Sequence, residues 1–209
     1  MRTLDKESQQ ALNPAGALDI LKQGNNRFVN NLKANRDLLQ QANATIAGQF
    51  PFAIILSCID SRTSVELIFD QGLGDVFSVR VAGNIVNDDI LGSMEFACKL
   101  AGSKLIVVLG HSHCGAIKGA CHDVQLEHLT GLLQKIKPAV DSVRNEPSEL
   151  DGDDLVQRVA ESNVQATVQQ IMQKSQVLKE MIDNGEIGIT GGMYDIESGQ
   201  VKFFPGTGV

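Results

Sequence analysis

The sequence predicts an α/β fold: a mostly parallel central β-sheet of about four parallel strands plus an added edge strand, flanked by α-helices and preceded by an N-terminal helical arm. Three observations carry that prediction. Short apolar runs rich in β-branched residues recur at Phe52–Leu56, Val76–Val81 and Leu105–Leu109, as in buried strands. Helix-period segments separate them, at Val65–Phe69 and Ile90–Leu100, so strand and helix alternate as in βαβ units. The chain then closes on Ile187–Ile196, a turn at Ser198-Gly199, and Val201–Phe204, which reads as strand, turn and strand.

The arm comes first in the chain. From Pro14 to about Leu32, the apolar residues Ala17, Leu18, Leu21 and Phe28 fall at near-helical spacing among Lys22, Asn25, Asn26 and Arg27. Pro14 suits a first helical turn. This short stripe can lie on its own domain or on a partner subunit, and a partner is the expectation. Beyond the third strand, helical stretches are expected near Leu126–Val143 and Leu155–Ile182, with the acidic, turn-rich segment Asn145–Asp154 as a solvated loop between them. No repeat, low-complexity tract or linker divides the chain, so residues 1–209 read as one domain with 1–47 as its helical arm.

Composition bounds the function. A chain of 209 residues, 43% hydrophobic and 21% charged, has the length for one sizeable core in the ordinary globular range. A net charge of -7, no tryptophan and a single tyrosine provide neither a basic track nor an aromatic stacking surface, so no nucleic-acid partner is expected. The first residues, Met1 to Glu7, lack the basic and apolar regions of a secretory signal, and no apolar stretch approaches bilayer length. No membrane partner is expected, and the location expected is cytoplasmic. Four cysteines are too few for a disulfide scaffold, which leaves thiols for metal binding or core packing.

Two polar clusters follow buried strands directly: Ser57-Cys58-Ile59-Asp60-Ser61-Arg62 and Gly110-His111-Ser112-His113-Cys114-Gly115. In open parallel sheets, ligands gather at the carboxyl ends of strands, so two neighbouring strands there can share one site. One such cysteine alone is more often a small buried hydrophobe, as Cys98 and Cys121 read here. Ligand types at two adjacent strand ends together point to a metal. Two thiolates and an imidazole suit zinc and disfavour magnesium or calcium. Asp60 either completes a tetrahedron or stands just outside it, where a bidentate pair with Arg62 holds it off the metal. The glycines at positions 72, 74, 83 and 102 follow no phosphate-binding spacing and read as turns.

At these residues the sequence resembles the β-class carbonic anhydrases, whose signature pairs C-x-D-S-R with H-x-x-C. Here they read Cys58-Ile-Asp-Ser-Arg62 and His111-Ser-His-Cys114. The likeness runs from Gly48 onward through Arg80-Val-Ala-Gly-Asn84 and the closing Tyr194-Asp195 strand. It implies Cys58, His111 and Cys114 as ligands of one Zn2+ per chain, and Asp60 with Arg62 as the catalytic dyad. Gln49 matches a substrate-binding glutamine and Phe77 an aromatic wall of the CO2 pocket. Phe96 stands where plant members carry a tyrosine, without the hydroxyl. A backbone N–H near Gly115 would face the developing negative charge.

The implied activity is the reversible hydration of CO2 to bicarbonate and a proton by a zinc-bound hydroxide, in a homodimer or homotetramer. Two thiolate ligands donate more charge than an all-histidine set, which predicts activity favouring alkaline pH. If Asp60 itself takes the metal the enzyme is off, and higher pH favours the open form. Among the histidines, His113, His122 and His128 have suitable side chains for proton export, and none is singled out. The second bicarbonate pocket of some bacterial members uses a tryptophan where Ile55 stands here, so that regulation is expected to be absent or weakened although Arg80 is present. The alternative is a carbonyl sulfide or carbon disulfide hydrolase on the same zinc site. A structural zinc protein is a further rival, which Arg62 and Gln49 argue against.

Overall fold

A computed structural model describes residues 3–147 and 150–209. Met1 and Arg2 of the start, and Ser148 and Glu149 of the acidic segment, lie outside the described residues. Five strands form one sheet: β1 Ala53–Ser57, β2 Val76–Arg80, β3 Leu105–His111, β4 Gly188–Tyr194 and β5 Val201–Phe203. Their order is β2-β1-β3-β4-β5. The first four are parallel, and β5 pairs antiparallel with β4 at the edge, which agrees with the expected sheet. From β1 the chain crosses to β2 on one side and then to β3 on the other. The gap between the ends of β1 and β3 is therefore a topological switch point, where parallel sheets open a crevice.

Successive strand residues feed two cores, as the period of two requires. Ile54, Leu56, Ile106, Val108 and Ile189 face one side. There the covering helices include α5 (Asp88–Glu95), α6 (Gly115–Cys121), α9 (Gly152–Lys174) and α10 (Gln176–Asp183). Ile55, Leu105, Val107 and Leu109 face the other side, under α2 (Pro14–Val29) and α4 (Val65–Ile68). Asn13 caps α2 through its side chain, Pro14 opens it, and Ala17, Leu18 and Leu21 are buried against Phe52, Ile55 and Leu105. The expectation that this stripe sits on a partner is corrected: the second sheet face has little else to cover it, and α2 closes it within the chain.

Other boundaries shift for local reasons. The stretch expected as one helix at 126–143 is two, α7 (Glu127–Gln134) and α8 (Lys137–Arg144), because Pro138 fits only a first helical turn. The stretch expected at 155–182 breaks at Ser175, whose extended backbone ends α9 and whose hydroxyl accepts from the Leu178 N–H to start α10. Helix α9 begins at Gly152, so Asp153 and Asp154 occupy its first turn rather than the expected loop, where negative charge meets the helix dipole favourably. Short helices α1 (Lys6–Ala11) and α3 (Leu38–Ala44) fall within the 1–47 arm expected to be helical, α6 was not expected, and α5 passes into a π-turn at Phe96–Leu100. Against β3 and β4, α9 lies close enough that a Cβ on Gly191 would meet Val164 at 2.5 Å.

Candidate metal centre

Three ligand-type side chains meet at the switch point. Cys58 follows the last residue of β1, His111 is the last residue of β3, and Cys114 is the N-cap of α6. Between the last two, His113 takes a left-handed turn (φ 55°) that brings the chain round. The ligand atoms of Cys58, His111 and Cys114 all lie within 4.8 Å of one another, and all three residues are buried. This is the only such group among the described residues.

The donors are oriented for a cation. His111 Nδ1 lies 2.8 Å from the Ser112 carbonyl, so that nitrogen carries the proton and Nε2 presents a lone pair. Nε2 is buried and has no hydrogen-bond partner, a costly state for a polar atom unless something is bound there. The two sulfurs are 3.9 Å apart. The Cys114 thiol beside it lowers the pKa of Cys58, and the same contact together with burial raises that of Cys114. The first proton thus leaves easily and the second with difficulty, unless a cation sits between them. Such a soft-donor set fits a borderline-soft transition metal ion. By contrast, burial alone pushes Cys98 up to about 12, as expected of an inert core thiol.

Asp60 stands outside the three-ligand group. Its Oδ1 accepts from the Arg62 N–H at 3.0 Å and Nε at 2.9 Å, and its Oδ2 from Nη2 at 2.8 Å. This bidentate pair, with Arg62 its first cause, holds the Asp60 carboxyl far below the ordinary carboxylate range. The loop carrying both is pinned by its carbonyls. Thr63 Oγ1 donates at 3.0 and 2.8 Å to Cys58 O and Asp60 O, and Arg80 Nε donates at 3.0 Å to Cys58 O. Arg80 Nη2 reaches Asp60 O at 2.5 Å, so this arginine is engaged with the dyad loop. Thr63 gave no signal in the sequence, because its role depends on a fold-back visible only in three dimensions.

Cys58 and Asp60 open onto a cavity of about 390 Å3 with Ala82, Gly115, Val124 and Leu129 in its walls. Gly115 lines the same cavity as Cys58 and Asp60. Phe77 and Phe96 lie elsewhere in the chain: they face each other edge-on, 6.2 Å between centroids, in a separate cavity that includes Ile54. Phe77 is in register with Ile54, four residues upstream of Cys58, which is about 13 Å along a strand. Gln49 is exposed and precedes β1, whereas Cys58 follows it. Within one chain, the residues expected to bind substrate are split between the two ends of β1.

Fold and site together define an α/β protein with a candidate metal site and a carboxylate–guanidinium pair beside it. Residues 53–201 match the family profile described as carbonic anhydrase. The chain is 37% identical over 194 residues to carbonic anhydrase 2 of Mycobacterium tuberculosis, covering 90% of this chain and 91% of that protein. It is 34% identical over 197 residues to a carbonic anhydrase of Mycolicibacterium smegmatis, covering 91% and 93%. Among solved structures, the β-carbonic anhydrase CcaA superposes with a TM-score of 0.73 at 28% identity over 90% of this chain and 87% of that one. A tetrameric β-carbonic anhydrase of Sordaria macrospora gives 0.68 at 28% identity over 77% and 84%. The chain belongs to the carbonic anhydrase family, in its β class.

Proposed function

We propose that this chain catalyses the reversible hydration of CO2 to bicarbonate and a proton, with one zinc ion held by Cys58, His111 and Cys114. The observation that carries the reading is the unpartnered His111 Nε2, buried within 4.8 Å of two thiols, one of which shares a cavity with the ion-paired Asp60. Zinc bound there supplies Lewis acidity and makes a proton of water labile near neutral pH.

The chain's own groups do the rest. Asp60, kept ionised by Arg62, is an acceptor only, so it takes a hydrogen bond from the attacking water and turns a lone pair of that water toward the substrate. The walls at Ala82, Val124 and Leu129 suit a small apolar molecule. The Gly115 N–H, in the first turn of α6, is a fixed donor for the oxygen that gains charge as bicarbonate forms.

Gln49, Phe77 and Phe96 act on substrate in this reading only if a second copy brings them to the metal end of β1, and a homodimer or homotetramer is part of the proposal. Residues 1–209 are proposed to act as one domain with the 1–47 arm included, in the cytoplasm. Among the described residues, no helix is long and apolar enough to cross a membrane.

Stopped-flow CO2 hydration on metal-quantified protein at pH 7 and pH 8.5, with Cys58→Ala as control, tests the proposal. Activity at the higher pH with about one zinc per chain, lost in the variant, is the expected result. Bound zinc without hydration at either pH overturns it, and turnover of carbonyl sulfide in a parallel assay would then identify the other substrate.

A further inference from the structure

The buried stripe of α9 runs through Val156, Val159, Ala160, Val164 and Ile171, and it carries one amide, Asn163, itself buried. An amide costs stability there unless it is hydrogen-bonded, and a leucine or valine would fill the same space without that cost. Asn163 Nδ2 donates to the carbonyl of Gly83 at 2.9 Å, across eighty positions of sequence. Gly83 in turn donates its N–H to Cys58 Sγ at 3.4 Å.

Gly83 is a residue whose orientation needs outside support. Its φ of 70° belongs to the left-handed region, and it has no side chain to pack. A Cβ there would meet Ile136 at 2.6 Å, so no larger residue can take its place and add rigidity. The tether from α9 holds the glycine carbonyl, which lies in the following peptide unit, and so restrains the φ and ψ of Gly83 through which the preceding unit's N–H is aimed at the sulfur. A hydrogen bond to a ligand sulfur withdraws charge from it and fixes its lone pairs, and such outer contacts tune metal sites by tenfold or more.

We propose that Asn163 is a positioning residue for the metal centre, restraining the backbone torsions of Gly83 so that its N–H is aimed at Cys58 Sγ and sets how that sulfur binds the metal. The proposal rests on the metal reading above. It adds a residue on a different helix, distant in sequence from every ligand.

The test uses the full-length protein loaded with cobalt(II), whose sulfur-to-metal charge-transfer absorption reports the electron density on the ligand sulfurs. Asn163→Leu keeps the stripe apolar and removes the tether. Thr167→Val alters another buried polar residue of α9 whose hydroxyl makes no hydrogen bond to Gly83. In Asn163→Leu the band is expected to move to longer wavelength and cobalt to bind about tenfold more weakly in chelator competition, while Thr167→Val leaves both as in the wild type. Asn163→Ser, too short to reach Gly83, supplies the same readouts if the leucine variant does not fold. Cobalt uptake by the wild type with an unmoved band and unchanged affinity in the Asn163 variants overturns the positioning role alone, as do equal changes in Asn163 and Thr167 variants. A wild type that takes up neither cobalt nor zinc overturns the metal reading and this proposal with it.

Discussion

Asp60 has a carboxylate oxygen count that decides its chemistry. Both oxygens are engaged by Arg62, so the group that the sequence left between metal ligand and partner of Arg62 is ion-paired here. Because its folded pKa lies below the ordinary carboxylate value, the stability it contributes is fully present above about pH 4. That contribution is lost only as the pH falls through the lower folded value. We therefore expect the 13Cγ resonance of Asp60 to stay that of a carboxylate from pH 8 down to pH 4.5. Protonation seen near pH 6 would contradict the pair. The Asp60→Asn variant should retain its metal but hydrate CO2 about 100-fold more slowly, measured by stopped flow alongside metal analysis. Equal loss of metal would instead make Asp60 a ligand. The residue types at positions 58, 60, 62, 111 and 114 were legible because the chemistry of a soft-metal site needs those types and strand ends place them. Thr63 and Asn163 were not, since their hydroxyl and amide act only through carbonyls brought near by folding.

Elements carry the next level of prediction. Gly83→Ala introduces both a strained φ and a contact with Ile136 in a buried turn, and should cost about 1–3 kcal/mol in urea unfolding. Ser175 caps α10 and also donates to Glu95 at 2.6 Å. Ser175→Ala should cost about 1 kcal/mol by the same measurement, whereas an unchanged midpoint would show that the cap is dispensable. The strands were legible because β-branched runs buried on both faces have no other common explanation. Helix limits were less so. Pro138 lies within 126–143 and could have marked the break there, but the interruption at Ser175 has no proline or glycine to mark it.

At the scale of the molecule, the apolar residues Leu39, Ile46, Ile59, Leu67 and Leu73 remain exposed. Within one chain Gln49, Phe77 and Phe96 stand away from the metal end, and the proposed homodimer or homotetramer is what would bring them to it. Sedimentation velocity at micromolar concentration should show a dimer or tetramer, and a fully active monomer would remove the second copy from the substrate pocket. What the sequence by itself determined was local and chemical: the sheet, its alternation with helices, the candidate ligand types at two strand ends and the carboxylate–guanidinium spacing. All of these are written in short-range patterns of residue type. Only the tertiary structure decided that α2 covers its own sheet, that Asp60 pairs with Arg62, and that Phe77 and Phe96 sit in a separate cavity. Each of these depends on which surfaces meet across long stretches of chain, and no spacing along the sequence encodes that distance.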